Sequence, residues 1–421
     1  MSLLFYTIFL RLYLLGIRLA ALKNEKARLW LKGRKNIWNR LGTLVGSDNK
    51  IIWFHCASLG EFEQGRPVME ELKKLYPQYK LLLTFFSPSG YEVRKNYPLA
   101  DWVFYLPPDS PSNAKKFLET VRPSLVVFVK YEFWYHYLSA ISRRMIPLLL
   151  VSAVFRPGQP FFRWYGAFHR YMLSCFTHIF VQNAAAEELL KKAGFEQTTS
   201  IAGDTRFDRV LEIANQPKPI AAAAAFINGM NCIVAGSTWE QDENALREAL
   251  AAIKDPSLKL IIAPHEINEN RLAKLRKVFP DAVLYSAIAA DERPCVSAGT
   301  LIIDNIGMLA SLYQYSYISY VGGGFTKDGV HNVLEAAVYG KPVLIGPNYQ
   351  KYREATELIQ VKGADSFSTA KELENIIITL LKDRALYQQK SQAAKEYVVS
   401  QAGACKIIID FIQENRLLTN R

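Results

Sequence analysis

Three consecutive glycines and a nearby carboxylate stand where the sequence changes from strand to helix. Residues 321–347 read as the end of a strand, a turn at glycines 322–324, a short helix and a returning strand. Glycines allow a sharp turn and leave backbone amides uncovered for a ligand. Asn332 is a suitable helix cap, and Glu335 follows in the first turn, where a carboxylate can accept hydrogen bonds from ribose hydroxyls. The segment predicts a nucleotide site; an ordinary strand-to-helix turn is the alternative.

A second carboxylate, Glu61, follows an apolar strand predicted over 50–56 and a loop of small residues over 57–60. Ligands of open α/β sheets gather at the carboxyl ends of strands, and His55 lies close by in sequence. Glu61 is therefore a candidate general base. The alternative is a carboxylate that answers the dipole of the helix predicted over 62–75, and position alone favours that alternative slightly.

Other polar residues also follow predicted strands. The strand at 124–129 ends at Lys130 and Glu132, and the strand at 199–203 leads to Arg206. In the second half of the chain, Ser237 and Thr238 form a turn suited to an anion. We expect the strand ends at residues 236, 264, 305 and 322 to converge on one crevice.

Strands alternate with helices throughout, which predicts parallel βαβ units. A chain of 421 residues is too long for one ordinary core. We therefore expect a first Rossmann-like domain at 41–211 and a second at 212–400, with residues 401–421 packing back on the first. The predicted strands are 50–56, 80–86, 102–106, 124–129, 147–151, 178–182, 199–203, 232–235, 258–263, 301–304, 317–321 and 343–345.

Two α/β domains that face each other across a cleft, with a nucleotide site in the second, describe the GT-B glycosyltransferase architecture. No two aspartates stand two positions apart, so the DxD metal motif of the other large glycosyltransferase fold is absent. The sequence thus favours a transfer that needs no metal and no cofactor.

The positive charge is concentrated at the amino terminus. The formal net charge is +12, and residues 1–40 hold nine Lys or Arg residues and a single acid, Glu25. That distribution indicates a local anionic partner rather than a nucleic-acid groove. The five cysteines are scattered, as is typical of a reducing compartment.

Residues 2–22 predict an apolar helix with a narrow polar stripe formed by Thr7, Arg11, Arg18 and Glu25. Because arginine is costly at mid-bilayer, we expect the helix to lie in the membrane interface, although a spanning helix is not excluded. The basic residues that follow favour anionic lipid and a cytosolic body. A cleaved signal peptide is not indicated. The alternative is a helix packed on the protein's own core.

Residues 155–172 mix arginines with aromatic residues. Such a mixture suits a lipid or sugar acceptor surface. A structural loop followed by an amphipathic helix explains the composition at least as well.

Five ordered motifs resemble the 3-deoxy-D-manno-octulosonate (Kdo) transferase family of lipopolysaccharide biosynthesis. The resemblance covers almost the whole chain. The motifs are FHCASLGE at 54–61, KYEFW at 130–134, GDTRFD at 203–208, GSTWEQDE at 236–243 and GVHNVLEAAVYGKPVLIGP at 329–347.

The resemblance implies an inverting GT-B enzyme on the inner face of the cytoplasmic membrane that moves Kdo from CMP-Kdo to a lipid A precursor. It implies that Glu61 is the general base. The implied CMP contacts are Pro264, His265, Ile306, Gly307, Met308, Asn332, Val333, Leu334 and Glu335, to which the turn at Ser237 and Thr238 is added.

The chain departs from the family pattern at three positions. Lys130 replaces an acid, so Glu132 alone keeps a carboxylate in that motif, Arg206 replaces a lysine, and His265 replaces an arginine. Arg206 would meet the phosphate charge, and Lys130 or Arg206 would meet the carboxylate of the donor. The alternatives are a sugar-nucleotide epimerase of the same fold, a transferase with another donor, or a non-catalytic lipid-binding protein.

Overall fold

The computed structural model describes residues 3–42, 50–289 and 298–419, and the chain folds as two compact units. The first unit runs to Asp208 and includes the segment from Gly403 onward, and the second is Arg209–Ala402. Each unit holds a seven-stranded sheet. Among the described residues, the paired strands all run parallel. Parallel neighbours require crossovers, which helices supply, so the predicted α/β class is confirmed.

The first unit begins with three helices, α1 (Leu3–Ala20), α2 (Glu25–Arg34) and α3 (Ile37–Gly42). Its strands are β1 (Ile51–Cys56), β2 (Lys80–Phe85), β3 (Trp102–Tyr105), β4 (Pro123–Val129), β5 (Leu148–Ala153), β6 (His178–Val181) and β7 (Thr199–Ile201). They lie in the order β3-β2-β1-β4-β5-β6-β7. The helices that follow these strands are α4 (Leu59–Leu75), α5 (Pro88–Arg94), α6 (Pro111–Val121), α7 (Tyr135–Arg143), α8 (Ala167–Ser174), α9 (Ala184–Lys192) and α10 (Thr205–Asn215).

The strands of the second unit are β8 (Asn231–Thr238), β9 (Leu258–Pro264), β10 (Val283–Leu284), β11 (Thr300–Ile302), β12 (Ile318–Val321), β13 (Val343–Ile345) and β14 (Ala364–Ser366). Their order is β10-β11-β9-β8-β12-β13-β14. The helices are α11 (Ala221–Ile227), α12 (Glu240–Ile253), α13 (Glu269–Val278), α14 (Tyr285–Ala289), α15 (Leu309–Leu312), α16 (Leu334–Ala337), α17 (Arg353–Gln360), α18 (Ala370–Lys382) and α19 (Arg384–Gln401). The last helix, α20 (Ala404–Glu414), belongs to the first unit.

The first sheet is buried on both faces, as its continuous apolar strands require. All six residues of β1 are buried. Ile51 and Trp53 belong to one apolar cluster, and Ile52 and Phe54 belong to another. Because successive strand side chains point to opposite faces, these clusters are the two sides of the sheet. α20 joins the second of them through Ile408 and its neighbours.

The amino-terminal prediction was wrong in its boundaries. α1 ends at Ala20, and Glu25 opens the separate helix α2, so Glu25 does not belong to the polar stripe of α1. Asn24 interrupts the helix because its side chain caps α2 by accepting a hydrogen bond from the amide of Ala27 at 3.2 Å. The alternative of a helix packed on the core accounts only for Tyr6 and Leu10, which are the buried residues of α1.

Two further helix boundaries differ from those predicted. α4 begins at Leu59 rather than Phe62, so Pro67 lies inside a continuous helix. The helix predicted after Asn332 covers only Leu334–Ala337. Strands β10 and β14 were not predicted, since they have two and three residues and lack a long apolar run.

Candidate functional site

Glu61 lies at the carboxyl edge of the first sheet, where the strand order reverses between β1 and β4. The hydroxyl of Ser58, just before α4, donates a hydrogen bond to Oε2 of Glu61 and does not cap a helix amide. The Glu61 side chain is half-buried, so it is oriented and still reachable from solvent. Ligands of open α/β sheets bind at such reversal points. Glu61 also lies in the first helical turn, so the geometry accommodates both the general base and the answer to the helix dipole.

Glu132, at the end of β4, is a buried carboxylate with an exposure of 4%. Its Oε2 lies 2.7 Å from Nε2 of His55 and accepts a hydrogen bond from Nε1 of Trp134 at 2.6 Å. On the other side of the ring, His55 Nδ1 lies 2.9 Å from Oγ1 of Thr84. These contacts tie β1, β2 and the turn after β4 together. They give Glu132 a positioning role for that turn.

The charges of Glu61 and Glu132 both affect the buried thiol of Cys56. Burial, followed by these two carboxylates, raises the pKa of Cys56 well above its usual value. Lys130 begins the turn after β4 with a φ of 69°, in the left-handed region that non-glycine residues rarely adopt. Such strain concentrates at functional sites and turns. The structure therefore gathers Glu61, Glu132 and Lys130 at one edge of the first sheet.

Arg206 is held by a carboxylate. Its Nε and one terminal nitrogen lie 3.0 Å and 2.7 Å from Oδ2 of Asp204, and Gln64 on α4 donates to the same carboxylate at 3.2 Å. Burial alone would raise the pKa of Asp204, but the charges of Arg206 and Lys130 hold it below its usual value. Arg206 keeps a side-chain exposure of 26%, so solvent still reaches this paired cation.

The first two of the three glycines after β12 do not leave their amides uncovered for a ligand, so that prediction was wrong for Gly322 and Gly323. The amide of Gly322 donates to the carbonyl of Gly236 at 2.9 Å, and the amide of Gly323 donates to Asp242 at 3.0 Å. A Cβ on Gly322 would lie 2.4 Å from the carbonyl oxygen of Ser237, and one on Gly324 would lie 2.6 Å from the backbone of Gly346. The glycines are needed because neighbouring backbones approach closely, and the first two amides are already used by the protein.

A flat layered group of rings covers the carboxyl edge of the second sheet. Trp239 Nε1 donates to His331 Nε2 at 3.1 Å. The ring of His265 stacks on both, with centroid separations of 4.9 Å from Trp239 and 4.3 Å from His331. Burial and the facing His265 ring lower the pKa of His331 to about 4, so His331 is neutral at pH 7. His265 is exposed.

Ser237 and Thr238 lie at the end of β8, where its register with β9 shifts. Ser237 has a φ of 54° and is half-buried. The hydroxyl of Thr238 is buried and donates to Glu243 at 2.8 Å. The turn therefore offers an anion the Ser237 side chain and backbone, while the Thr238 hydroxyl has an internal partner.

The segment from Asn332 to Glu335 is ordered by its own side chains. Asn332 accepts a hydrogen bond from the amide of Leu334 at 3.2 Å and donates one to Glu335 at 3.0 Å. Val333 and Leu334 are fully buried, whereas Asn332 and Glu335 are half-buried. Only the polar pair thus presents side chains that a ligand could reach.

The remaining residues predicted to contact CMP differ in their exposure to solvent. Pro264 is buried in β9, and the amide of His265 donates to the carbonyl of Thr238 at 3.0 Å, which joins the ends of β8 and β9. Ile306 is 89% exposed, and Gly307 has a φ of 97° in the loop after β11. Sheet register places the ends of β8, β9 and β12 side by side, as expected of a common edge.

Comparison with known proteins shows which family this chain resembles. Residues 35–209 match the model of the family described as 3-deoxy-D-manno-octulosonic-acid transferase (kdotransferase). The chain is similar to the Kdo transferases. A relative of that name from Aquifex aeolicus is 29% identical over 326 residues, covering 77% of this chain and 83% of the relative. One from Haemophilus influenzae is 26% identical over 383 residues, covering 86% of each.

Solved structures agree with the fold. A putative UDP-N-acetylglucosamine 2-epimerase from Listeria monocytogenes superposes with a TM-score of 0.60 at 15% identity, covering 88% of this chain and 98% of that one. The enzyme from Neisseria meningitidis bound to UDP-GlcNAc gives 0.59 at 17% identity, covering 87% and 100%. At such identity the likeness concerns the fold alone, and it confirms the predicted GT-B-like fold.

Several residues that shape these two sheet edges were not predicted from the sequence as site residues. Trp239 and His331 were not singled out, although each stands inside a quoted motif. Ser58 was treated only as a small loop residue. Its spacing of three positions before Glu61 was an available signal, since a hydroxyl at that spacing commonly reaches the first helical turn.

Proposed function

We propose that this chain is an inverting glycosyltransferase that moves Kdo from CMP-Kdo to a hydroxyl of the lipid A precursor lipid IVA. The observation that carries the proposal is the Glu61 carboxylate, which Ser58 orients at the carboxyl edge of the first sheet in a chain that is similar to Kdo transferases. A carboxylate that is fixed and accessible is what a general base for a sugar hydroxyl requires.

In this mechanism, Glu61 takes the proton of the acceptor hydroxyl as the hydroxyl oxygen attacks the anomeric carbon. The bond from that carbon to the phosphate oxygen breaks, and CMP leaves with the electron pair. Attack opposite the leaving group inverts the anomeric centre. General base catalysis of this kind contributes roughly 10²–10⁴-fold to the rate.

The anionic donor needs cations, and the first unit supplies two. Lys130 lies at the end of β4, and Arg206, which pairs with Asp204, has a partly exposed side chain. Pairing with Asp204 fixes the orientation of Arg206 and removes part of its net charge. We therefore assign the main compensation of donor charge to Lys130 and an orienting contact to Arg206.

The second unit would hold the CMP group. Glu335, oriented by Asn332, would accept hydrogen bonds from the ribose hydroxyls. Val333 and Leu334 have buried side chains, so only their backbone would face the nucleotide. Ser237 and His265 are reachable and would contact its polar groups.

The lipid acceptor places the reaction at the cytoplasmic face of the bacterial inner membrane. α1 is long and apolar enough to cross a membrane, with a mean hydropathy of 1.7. Its large apolar side chains are exposed, including Leu4, Phe5 and Leu12 at 67%, 65% and 62%. A helix with such a face, followed by basic residues, suits anchoring to anionic lipid.

The test uses the purified full chain in detergent, without added metal, with CMP-Kdo and a tetraacylated lipid A precursor. Mass spectrometry of the lipid should show one or more added Kdo masses. CMP release without lipid modification would point to another acceptor. An intact, folded protein that releases no CMP from freshly regenerated CMP-Kdo would overturn the donor assignment.

A further inference from the structure

Trp164 holds a large apolar ring in water. It is 91% exposed, a value that no other large apolar side chain in the described part of the chain exceeds. Tyr165 beside it is 48% exposed, and the two rings meet edge to face at 5.5 Å. Large exposed apolar groups on a folded protein mark contact sites. Aromatic rings with a polar edge are enriched where proteins meet the membrane interface.

These rings lie on residues 159–166, hereafter the aromatic loop. Hydrogen bonds to backbone carbonyl groups of the loop hold it in a closed turn. Arg170 donates to the carbonyls of Phe161 and Arg163 at 3.1 Å and 2.9 Å. The amide of Gly166 donates to the carbonyl of Arg163 at 2.9 Å. A Cβ at Gly166 would lie 2.1 Å from the carbonyl oxygen of Pro160. The tight closure presents Trp164 on a fixed support.

The base of the aromatic loop is anchored in the first unit. Phe161 is 5% exposed, and its ring packs against Phe133 at 4.7 Å and Phe155 at 5.6 Å. Inward-facing phenylalanines thus hold the loop, while Trp164 and Tyr165 face outward. A loop whose only role was structural would have no need of the outward pair.

The chain around the aromatic loop carries one sign of charge. Residues 133–186 contain five arginines and no Asp or Glu. Arg156, just before the loop, and Arg163, within it, are both exposed. Arginine beside an aromatic ring is suited to lipid phosphate, because the guanidinium binds phosphate while the ring enters the boundary of the acyl chains.

The aromatic loop leads directly into α8, which packs beneath α1. Phe168 on α8 lies 5.6 Å from Tyr6 on α1 and stacks on Tyr135 at 4.9 Å. The end of the loop therefore lies near the amino-terminal half of α1 within one compact unit.

We propose that the aromatic loop is a second membrane-contact element, in which Trp164 and Tyr165 enter the interface of an anionic bilayer while Arg156 and Arg163 bind lipid phosphates. This inference rests on the proposed function in one respect, since the lipid acceptor gives the protein its reason to meet the membrane. Two contacts fix the orientation of the first unit, whereas α1 alone would leave it free to rotate about the helix. The orientation sets the height of Glu61 above the lipid headgroups.

A lipid surface fits these residues better than a protein partner does. Residues 154–174 contain no Asp or Glu, so the segment favours an anionic surface, and a bilayer also supplies the acyl boundary that the exposed rings would enter. The combination of Trp, Tyr and Arg matches the membrane interface.

The experiment measures binding of the full chain to vesicles of phosphatidylethanolamine with phosphatidylglycerol, and to vesicles of phosphatidylcholine. Trp164→Ser and Arg163→Gln are compared with Val399→Ser, a change at a half-exposed apolar side chain of the second unit. We expect Trp164→Ser to bind the anionic vesicles roughly tenfold more weakly, with α1 providing the remainder. Arg163→Gln should lose affinity only for the anionic vesicles, and Val399→Ser should match the parent protein.

Fluorescence quenching shows directly whether the Trp164 ring contacts the lipid. Brominated lipids quench tryptophan emission on contact, so the difference between the parent protein and Trp164→Phe reports on Trp164 alone. Quenching by lipid supports the proposal. Absence of quenching together with unchanged vesicle binding of Trp164→Ser overturns it, and so does loss of a co-purifying protein with vesicle binding intact.

Failure of the loop proposal can be told apart from failure of the proposed function. A chain that binds vesicles through Trp164 but releases no CMP from CMP-Kdo would retain the membrane contact and lose the reaction. A chain that transfers Kdo equally well to vesicle-embedded acceptor with and without Trp164 would retain the reaction and lose the loop contact.

Discussion

His55 Nε2 and Glu132 Oε2 lie 2.7 Å apart, and both side chains are almost completely removed from solvent. The pair joins the end of β1 to the turn after β4. Nδ1 of His55 is held by Thr84 on β2, and Trp134 donates to the same carboxylate oxygen. Three neighbouring strands are thus locked where Glu61 and Lys130 would act.

Removal of the Glu132 carboxylate should therefore destabilise the first unit. Glu132→Ala leaves His55 and Trp134 without their buried partner, at a cost of roughly 1–3 kcal/mol for each unsatisfied group. Glu132→Gln should cost less, about 1–3 kcal/mol, because the amide oxygen can still accept a hydrogen bond. Denaturant unfolding measures both. Equal stabilities for the parent protein and Glu132→Ala would show that the pair contributes no net stability.

Glu61→Gln should keep donor binding and lose turnover by roughly 10²–10⁴-fold, since the amide cannot take a proton. Calorimetry with CMP and a discontinuous assay of lipid product separate the two effects. Ser58 supplies the comparison. Ser58→Ala should lower turnover by about tenfold because Glu61 loses its orienting donor, and Ser58→Thr should restore it. Turnover of Glu61→Gln at the parent rate would remove Glu61 from the mechanism.

How far the sequence alone predicts such sites depends on the distance along the chain between partners. Glu61 was placed correctly at a strand end because an apolar run, a loop of small residues and a helix follow one another locally. The partner of Glu132 is His55, and the partner of Gly323 is Asp242. Contacts between distant parts of the chain depend on strand order, which local patterns do not contain.

The glycines after β12 show the same limit. A run of three glycines correctly predicted a turn of unusual geometry, because only glycine tolerates such backbones. It did not reveal whether the free space served a ligand or a neighbouring strand. Gly324 faces Gly346, which is the end of the next strand in the sheet. The α/β class, in contrast, was predictable because strand and helix periodicity repeats over the whole chain.

Gly323→Ala should destabilise the second unit more than a matched glycine change. Gly323 has a φ of 89°, and a Cβ there would lie 2.7 Å from the carbonyl oxygen of Gly329. Gly229 has a φ of 78° and no atom within 4 Å of its Cβ position. Gly229→Ala carries only backbone strain, roughly 1–2 kcal/mol, and Gly323→Ala adds the steric overlap. Denaturant unfolding of both variants measures the difference, and equal costs would show that the backbone relaxes freely.

The neutral His331 should make the second unit sensitive to acid. Its pKa falls from an ordinary value of 6.5 to about 4 through burial and the facing His265, against the opposing charge of Asp328. Above 6.5 both folded and unfolded forms are neutral, so this group has no pH effect. Between 6.5 and 4 the unfolded chain binds a proton that the folded chain does not, and stability falls as the pH falls.

For this half-buried ring we expect a loss on the order of 1 kcal/mol between pH 6.5 and 5 after allowance for solvent screening. His331→Gln keeps an acceptor for the indole of Trp239 and cannot titrate. Its unfolding free energy should fall less over that interval than that of the parent protein. Parallel pH profiles for the two proteins would contradict the neutral assignment.

Tyr6 attaches α1 to the rest of the first unit through buried hydrogen bonds of its hydroxyl, which a single substitution removes. The hydroxyl of Tyr6 donates to Asp109 at 2.7 Å, and the amide of Tyr135 donates to that hydroxyl at 3.2 Å. Asp109 also accepts from the amides of His136 and Tyr137 at the start of α7. Tyr6→Phe keeps the ring packing and the bonds from His136 and Tyr137 to Asp109. It removes the acceptor of the Tyr135 amide, so its effect should be confined to α1 and the first residue of α7.

We expect Tyr6→Phe to weaken that attachment by about 1–2 kcal/mol, because the hydrogen bond to a buried carboxyl group is lost. Hydrogen exchange should then quicken in α1 and remain unchanged in β1. Thr7→Ala is the matched control, since the hydroxyl of Thr7 bonds only within α1, to the carbonyl of Leu3 at 2.9 Å. Equal exchange rates in the two variants would mean that Asp109 does not hold α1. Faster exchange in Tyr6→Phe with unchanged vesicle affinity would separate the joint that positions the helix from the apolar face that meets the lipid.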